Sequence, residues 1–253
     1  MTRPCIATGE LATCRDARRA HTPLAMLPRE LLAEASTPAG EPITLAREGV
    51  SLVVRVRNEV LMSSRVHGSE EAMAEVGCAG LRERRGVRVL IGGLGLGYTV
   101  RAALDALGPD AEVVVRELIP ALVEWNRGTL GELAGRPLDD PRVRVEIGDV
   151  GDALEPSRFD AILLDVDNGP EALTVPSNAR LYGARGLERL RTSLRPGGAL
   201  VVWSAFESPR FARALRAAGL NGEVVRVRAR GKVARGSRHL LYVGRAARLR
   251  SVS

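Results

Sequence analysis

Aromatic residues make up only 3% of this 253-residue chain, and lysine is reduced to a single residue, Lys232. The formal charge of +7 therefore rests on arginine. The arginines are scattered along expected helix faces with no stacking aromatics between them, which fits an arginine-biased composition better than a nucleic-acid surface. Cys5, Cys14 and Cys78 show no CxxC spacing. An odd count argues against a disulfide framework and for a reducing, cytoplasmic location. His21, His67 and His239 are too dispersed for a metal triad, and Cys5, Cys14 and His21 match no familiar ligand spacing, so no metal is expected. No apolar run approaches the roughly 18 residues of a membrane span. Residues 1–19 carry arginines and acids where a signal peptide needs an apolar stretch, so neither leader nor anchor is expected. No GxSxG elbow surrounds Ser204, and no internal repeat is apparent.

The 45% hydrophobic content supports an ordinary core, and the length suits one large α/β domain with a small appendage. Residues 1–42 carry Pro4, Pro23, Pro28, Pro38 and Pro42 and read as a flexible extension with one short helix at 28–35. Residues 43–66 change to alternation, with short strands at 43–45, 50–56 and 60–62, a small β domain. A helix is predicted over 69–81, with Ser69 as its cap. Residues 67–253 form the third unit. Strands are predicted at 88–93, 112–118, 143–149, 159–165 and 199–204. Helices are predicted at 97–107, 120–130, 184–194 and 209–218, with a short turn near 150–154. Such alternation predicts a parallel, doubly wound sheet covered on both faces. Arg195-Pro196-Gly197-Gly198 reads as a helix stop. Runs at 223–230 and 238–243 predict a terminal hairpin whose last strand is antiparallel.

The chemistry concentrates between residues 88 and 165. Val89-Leu90-Ile91 runs into Gly92-Gly93-Leu94-Gly95-Leu96-Gly97, and a second strand-like run delivers Glu117 about 20 residues later. A strand that ends in glycines and turns into a helix aims free backbone N–H groups at whatever sits in the bend. An acid ending the next strand can accept both hydroxyls of a ribose. Asp149 and Asp165 end two further strands and extend the row of carboxylates along one sheet edge. The glycine pattern is GxGxG, through Gly93, Gly95 and Gly97, and Tyr98 stands where a dinucleotide site needs a small residue. That favours a sulfonium nucleoside over a nicotinamide cofactor.

In order, the glycine loop, Glu117, Asp140-Pro141-Arg142-Val143, Gly148-Asp149, Phe159-Asp160-Ala161-Ile162-Leu163-Leu164-Asp165 and Leu194-Arg195-Pro196-Gly197-Gly198 resemble the spermidine synthase (polyamine aminopropyltransferase) family. The small β domain followed by His67-Gly68-Ser69-Glu70-Glu71 is also similar to that family's N-terminal hairpins and the helix after them. The resemblance covers roughly residues 43–244. It implies a Rossmann-like, methyltransferase-type doubly wound sheet and an aminopropyl transfer from decarboxylated S-adenosylmethionine to a polyamine or related amine. By resemblance, Gly93, Gly95, Gly97 and Glu117 hold the sulfonium nucleoside, with Glu117 on the ribose, and Asp149 contacts the adenine amino group. Asp165 then stands at the catalytic aspartate, binding and deprotonating the acceptor. A homodimer is also implied. Two departures are visible: the family's loop aspartate is replaced by Gly95, and the stretch after Asp165 carries a second acid, Asp167, assigned here to catalysis with Asp165.

An alkyl amine has a pKa of roughly 10, so a carboxylate must take up its proton before it can attack a sulfonium carbon. Asp165 suits that role. Asp167, Glu171, Glu70 and Glu71 are candidates for holding the far end of a polycation, although Glu70 and Glu71 also read as ordinary first-turn helix acids. Trp125 and Tyr182 read as core or as pocket wall. Gly95 leaves S-adenosylmethionine, with its own carboxylate, unrepelled, so a methyltransferase on the same fold is the second reading. A non-catalytic nucleotide-binding module is the third. The expected partner is a small-molecule amine, with no nucleic acid and no membrane.

Overall fold

Valine- and leucine-rich runs that stop at glycine or at an acid can be buried on both faces only inside a parallel sheet. The computed structural model, which describes residues 29–166, 180–229 and 237–248, places them so. Strands β5 (Arg88–Gly92), β6 (Glu112–Glu117), β7 (Val143–Ile147), β8 (Phe159–Leu164) and β9 (Leu194–Ser204) pair in parallel, and β8 is buried along its whole length. Strands β10 (Asn221–Arg228) and β11 (Arg238–Arg245) close the sheet as an antiparallel hairpin on β9. The seven-stranded order is β10-β11-β9-β8-β5-β6-β7.

Helices α1 (Gly68–Gly77) and α2 (Tyr98–Ala106) contribute Met73, Ala74, Val100, Ala103 and Leu104 to the core on one face. Helices α4 (Ala184–Ser193) and α5 (Pro209–Ala217) supply Leu187, Leu190, Phe211 and Leu215 to the core on the other. Helix α3 (Pro120–Arg127) starts on proline, which suits a first turn. No helix among the described residues is long and apolar enough to cross a membrane.

A separate antiparallel sheet holds β1 (Arg29–Ser36), β2 (Pro42–Glu48), β3 (Ser51–Val56) and β4 (Glu59–Ser63) in that order. Its apolar face, Ile43, Leu45, Leu52 and Val54, packs on Leu122 of α3, on Leu130 and on Leu96 from the glycine loop. The small sheet therefore supports the glycine bend from outside.

Three expectations are corrected. The helix at 28–35 is instead strand β1, inside the stretch read as an extension. Its Glu, Leu and Ala residues favour a helix, but an eight-residue helix alone is marginal. Pairing with β2 supplies a hydrogen-bonded ladder and lets Leu32, Ala33 and Ala35 pack on the third core cluster. Ser69 does not cap α1, whose N-cap is His67 with no side-chain capping bond. The helix does stop before Arg195-Pro196-Gly197-Gly198, at Ser193, but strand β9 starts at Leu194 rather than 199 and includes these residues, a register shift against β8 and Gly197 at φ +77° absorbing the bend. The terminal hairpin and its antiparallel last strand are as expected.

Candidate active site

Three consecutive odd-numbered glycines, Gly93, Gly95 and Gly97, have φ of +88°, +54° and +86°. Only glycine adopts all three without strain. At Gly93 a side chain is also excluded by space, because a Cβ would lie 2.3 Å from the main-chain oxygen of Asp165. The bend thus passes directly against the end of β8, and the Asp165 N–H donates to Gly92 O at 2.9 Å. On its other flank Glu117, 5% exposed, accepts from Leu94 N through Oε2 and from Ile119 N through Oε1, both at 2.8 Å. Glu117 and Asp165 therefore grip opposite sides of one glycine loop. Burial raises the Glu117 pKa, while backbone N–H groups of Ile119, Leu94, Leu118 and Gly95 pull the other way.

Asn126, on α3, secures the loop from behind. Its Nδ2 donates to Gly95 O at 2.9 Å and to Leu122 O at 2.8 Å, and the residue is 1% exposed. The sequence pattern places Asn126 on the helix after Glu117 and nothing more. A buried amide on a helix that follows a ribose-type acid was the available signal. Tyr98 occupies the position that seemed too bulky for close helix–sheet packing. It turns aside and stacks on His67, with ring centroids 4.3 Å apart and planes 20° from parallel.

Asp149 is half-buried and its Oδ1 accepts from Gly151 N at 2.8 Å, capping a short 3-10 turn, Val150–Ala153. Asp165 has a different environment. Desolvation, with the Glu70 charge adding to it, pushes its carboxyl from 3.8 up to about 8. Glu70 reaches this place because Gly77 lets α1 lie directly on β8: a Cβ at Gly77 would sit 2.3 Å from Leu163 Cδ2. The Glu70 carboxyl is itself shifted up by burial, and the Ser69 hydroxyl, donating at 2.6 Å, works against that shift. Glu71 faces His67 Nδ1 at 2.8 Å. Both acids lie in the first turn of α1, as the helix dipole favours, yet the Glu70 charge also acts on Asp165.

The structure brings together Gly93, Gly95, Gly97, Glu117 and Asp165, with Asp149 at the end of the next strand but one from β5. Asp167 and Glu171 lie outside the described residues, as do Cys5, Cys14 and His21. Trp125 packs with the cluster beneath the small sheet, and Tyr182, 7% exposed, packs edge-on to Phe211 in the core. Burial raises the Cys78 thiol to about 12, so it is an inert core residue. No group of three or more His, Cys, Asp or Glu residues among the described residues has metal-holding geometry.

No family model matches the chain. Polyamine aminopropyltransferases of Mycobacterium tuberculosis and Mycobacterium bovis are 36% identical to it over 142 residues, which is 52% of this chain and 26% of theirs. The counterpart from Korarchaeum cryptofilum is 32% identical over 119 residues, or 46% of this chain and 35% of its own length. Among solved structures, a spermidine synthase in complex with the transition-state analogue AdoDATO superposes with a TM-score of 0.69 at 16% identity, covering 85% of this chain and 73% of that one. The spermidine synthase of Thermotoga maritima gives a TM-score of 0.65 at 15% identity, with 85% and 72% covered. The chain is similar to polyamine aminopropyltransferases over about half of its own length, and its fold is similar to that of spermidine synthases. At these identities the superpositions speak for the fold, a Rossmann-like sheet behind a small N-terminal β sheet. The chain spans about a quarter of the length of the mycobacterial relatives it matches.

Proposed function

We propose that the chain is an alkyl transferase of the spermidine synthase type, moving an aminopropyl group from decarboxylated S-adenosylmethionine to a polyamine or similar amine. The observation that carries this reading is the single glycine bend held between Glu117 and Asp165. In this reading the nucleoside lies across the bend, its ribose hydroxyls donate to the Glu117 carboxylate, and Asp149 faces the adenine amino group. The Glu117 carboxylate is already oriented by the backbone N–H groups of Leu94 and Ile119.

The acceptor ammonium meets Asp165, gives up a proton, and attacks the carbon next to sulfur in line with the breaking bond. The environment of Asp165 suits a base for this substrate. Passing a proton from an amine of pKa about 10 to a carboxyl of about 8 climbs roughly 3 kcal/mol, against roughly 8 kcal/mol for an ordinary aspartate. Asp167 belongs to the same proposal as a second acid for the polycation.

Incubation with decarboxylated S-adenosylmethionine and a panel of amines, putrescine and spermidine included, is expected to release methylthioadenosine. Absence of product across the panel defeats the proposal. The methyltransferase reading is favoured by one observation. A side chain at Gly95 would meet nothing nearer than Met62 Sδ at 4.0 Å, so no acid guards that side of the bend against a donor carboxylate. It predicts S-adenosylhomocysteine as product instead.

A further inference from the structure

We infer that Glu70, Ser69 and His239 form a proton relay that carries the acceptor's proton from Asp165 toward the surface, an inference that rests on the transfer reading above. The relay is visible as a row of hydrogen bonds. The Ser69 hydroxyl, fully buried on α1, donates to Glu70 Oε2 at 2.6 Å and lies 2.9 Å from His239 Nδ1 on β11. A hydroxyl has one proton to give. With that proton directed at Glu70, the second contact is made by a donating His239 Nδ1–H. The same heavy atoms support the reverse order, in which a protonated Glu70 donates to Ser69 and Ser69 donates to a bare Nδ1. Passing from the reverse order to the first one moves a proton from Glu70 to His239 without moving a heavy atom.

The proposed reaction needs such a path. An ammonium and a sulfonium become a secondary ammonium, a neutral thioether and one proton, as the N–C bond forms and the C–S pair returns to sulfur. That proton goes first to Asp165, whose carboxyl is desolvated and feels the Glu70 charge. From Glu70 it passes through Ser69 to His239 Nδ1, and Nε2 releases a proton outward. Burial lowers the His239 pKa, so the ring is neutral near pH 7 and able to take a proton and shed one.

The surroundings of the relay are specific. His239 meets Trp203 of β9 edge-on, with centroids 4.7 Å apart, and pairs with Val227 of β10. Its chain neighbour Arg238 stands opposite Arg228. The titratable groups whose charges interact with Glu70 are His67, Glu71 and Asp165. His67 is engaged elsewhere, with Glu71 and Tyr98, which leaves the Ser69 side as the route away from Glu70.

Two measurements test this. With the transfer assay, Ser69→Ala is expected to lower kcat about tenfold and to shift its pH profile, while the KM for the amine and the affinity for methylthioadenosine stay within twofold and Ser69→Thr recovers the rate. Wild-type kcat and pH profile in Ser69→Ala overturn the relay. Independently of turnover, the NMR titration of the His239 ring, assigned with His239→Gln, is expected to move by about one pH unit in both Glu70→Gln and Ser69→Ala. An unmoved midpoint overturns the relay even if the chain transfers an aminopropyl group. A shifted midpoint in a chain that releases no methylthioadenosine supports the proton path and rejects the transfer reading alone.

Discussion

The two flanks of the glycine bend are built on opposite principles. On the β6 side every acid is answered by the main chain: Glu117 takes N–H groups from Leu94 and Ile119, and Asp149 takes one from Gly151. On the β8 side the Glu70 charge acts on Asp165, and among the described residues the hydrogen-bond donors that ease either shift are the Ser69 hydroxyl and the Glu70 main chain. One flank is satisfied before any ligand arrives and acts as a rigid seat. On the other, ionisation is disfavoured until an incoming cation compensates it. Stability and function are thus aligned on the first flank and opposed on the second.

The largest expected effect comes from discharging the second flank. Asp165→Asn is expected to lower turnover with an amine acceptor by about a thousandfold, the range of a lost general base. The same change is expected to stabilise the protein above neutrality. A carboxyl raised from 3.8 to about 8 on folding contributes stability that is complete below pH 3.8 and is lost as pH rises through about 8. The melting temperature of the wild type should therefore fall across that window more than that of Asp165→Asn, as calorimetry at pH 5 and pH 8.5 will reveal. A pure nucleotide binder would be indifferent in its activity to this change.

Much of this contrast was legible in the sequence. The glycine loop, Glu117, Asp149 and Asp165 stand at strand ends whose apolar runs and turn residues mark them, so the row of carboxylates follows from the pattern of β5 to β8. Strand β1 was not legible, because RELLAEAS is helix-forming by local propensity and becomes a strand only through its long ladder with β2. Nor was the second function of Glu70. A first-turn acid is explained by the helix dipole alone, and its approach to Asp165 depends on Gly77 lowering α1 onto β8, a tertiary contact with no local signature. Asn126 shares that fate, since its partner carbonyl at Gly95 lies across the fold.

A smaller effect sharpens the contrast by adding charge to the seat. Gly95 at φ +54° has open space before it, and aspartate is among the residues that tolerate this backbone region. Gly95→Asp is expected to shift relative affinity by about tenfold toward decarboxylated S-adenosylmethionine and away from S-adenosylmethionine, measured by calorimetry with the two donors. The smallest effect is expected at the edge of the seat. Asp149→Ala removes the cap on Gly151 N and should weaken methylthioadenosine binding by roughly three- to tenfold while destabilising the fold by about 1 kcal/mol, read from denaturant titration.

The central claim is that an adenosine moiety rests on the glycine bend against Glu117. Calorimetric titration of methylthioadenosine into the wild type, Glu117→Gln and Asp165→Asn tests it most directly. One molecule should bind per wild-type chain, about a hundredfold more weakly to Glu117→Gln and with little change to Asp165→Asn. No binding to the wild type, or equal binding to all three, would contradict it.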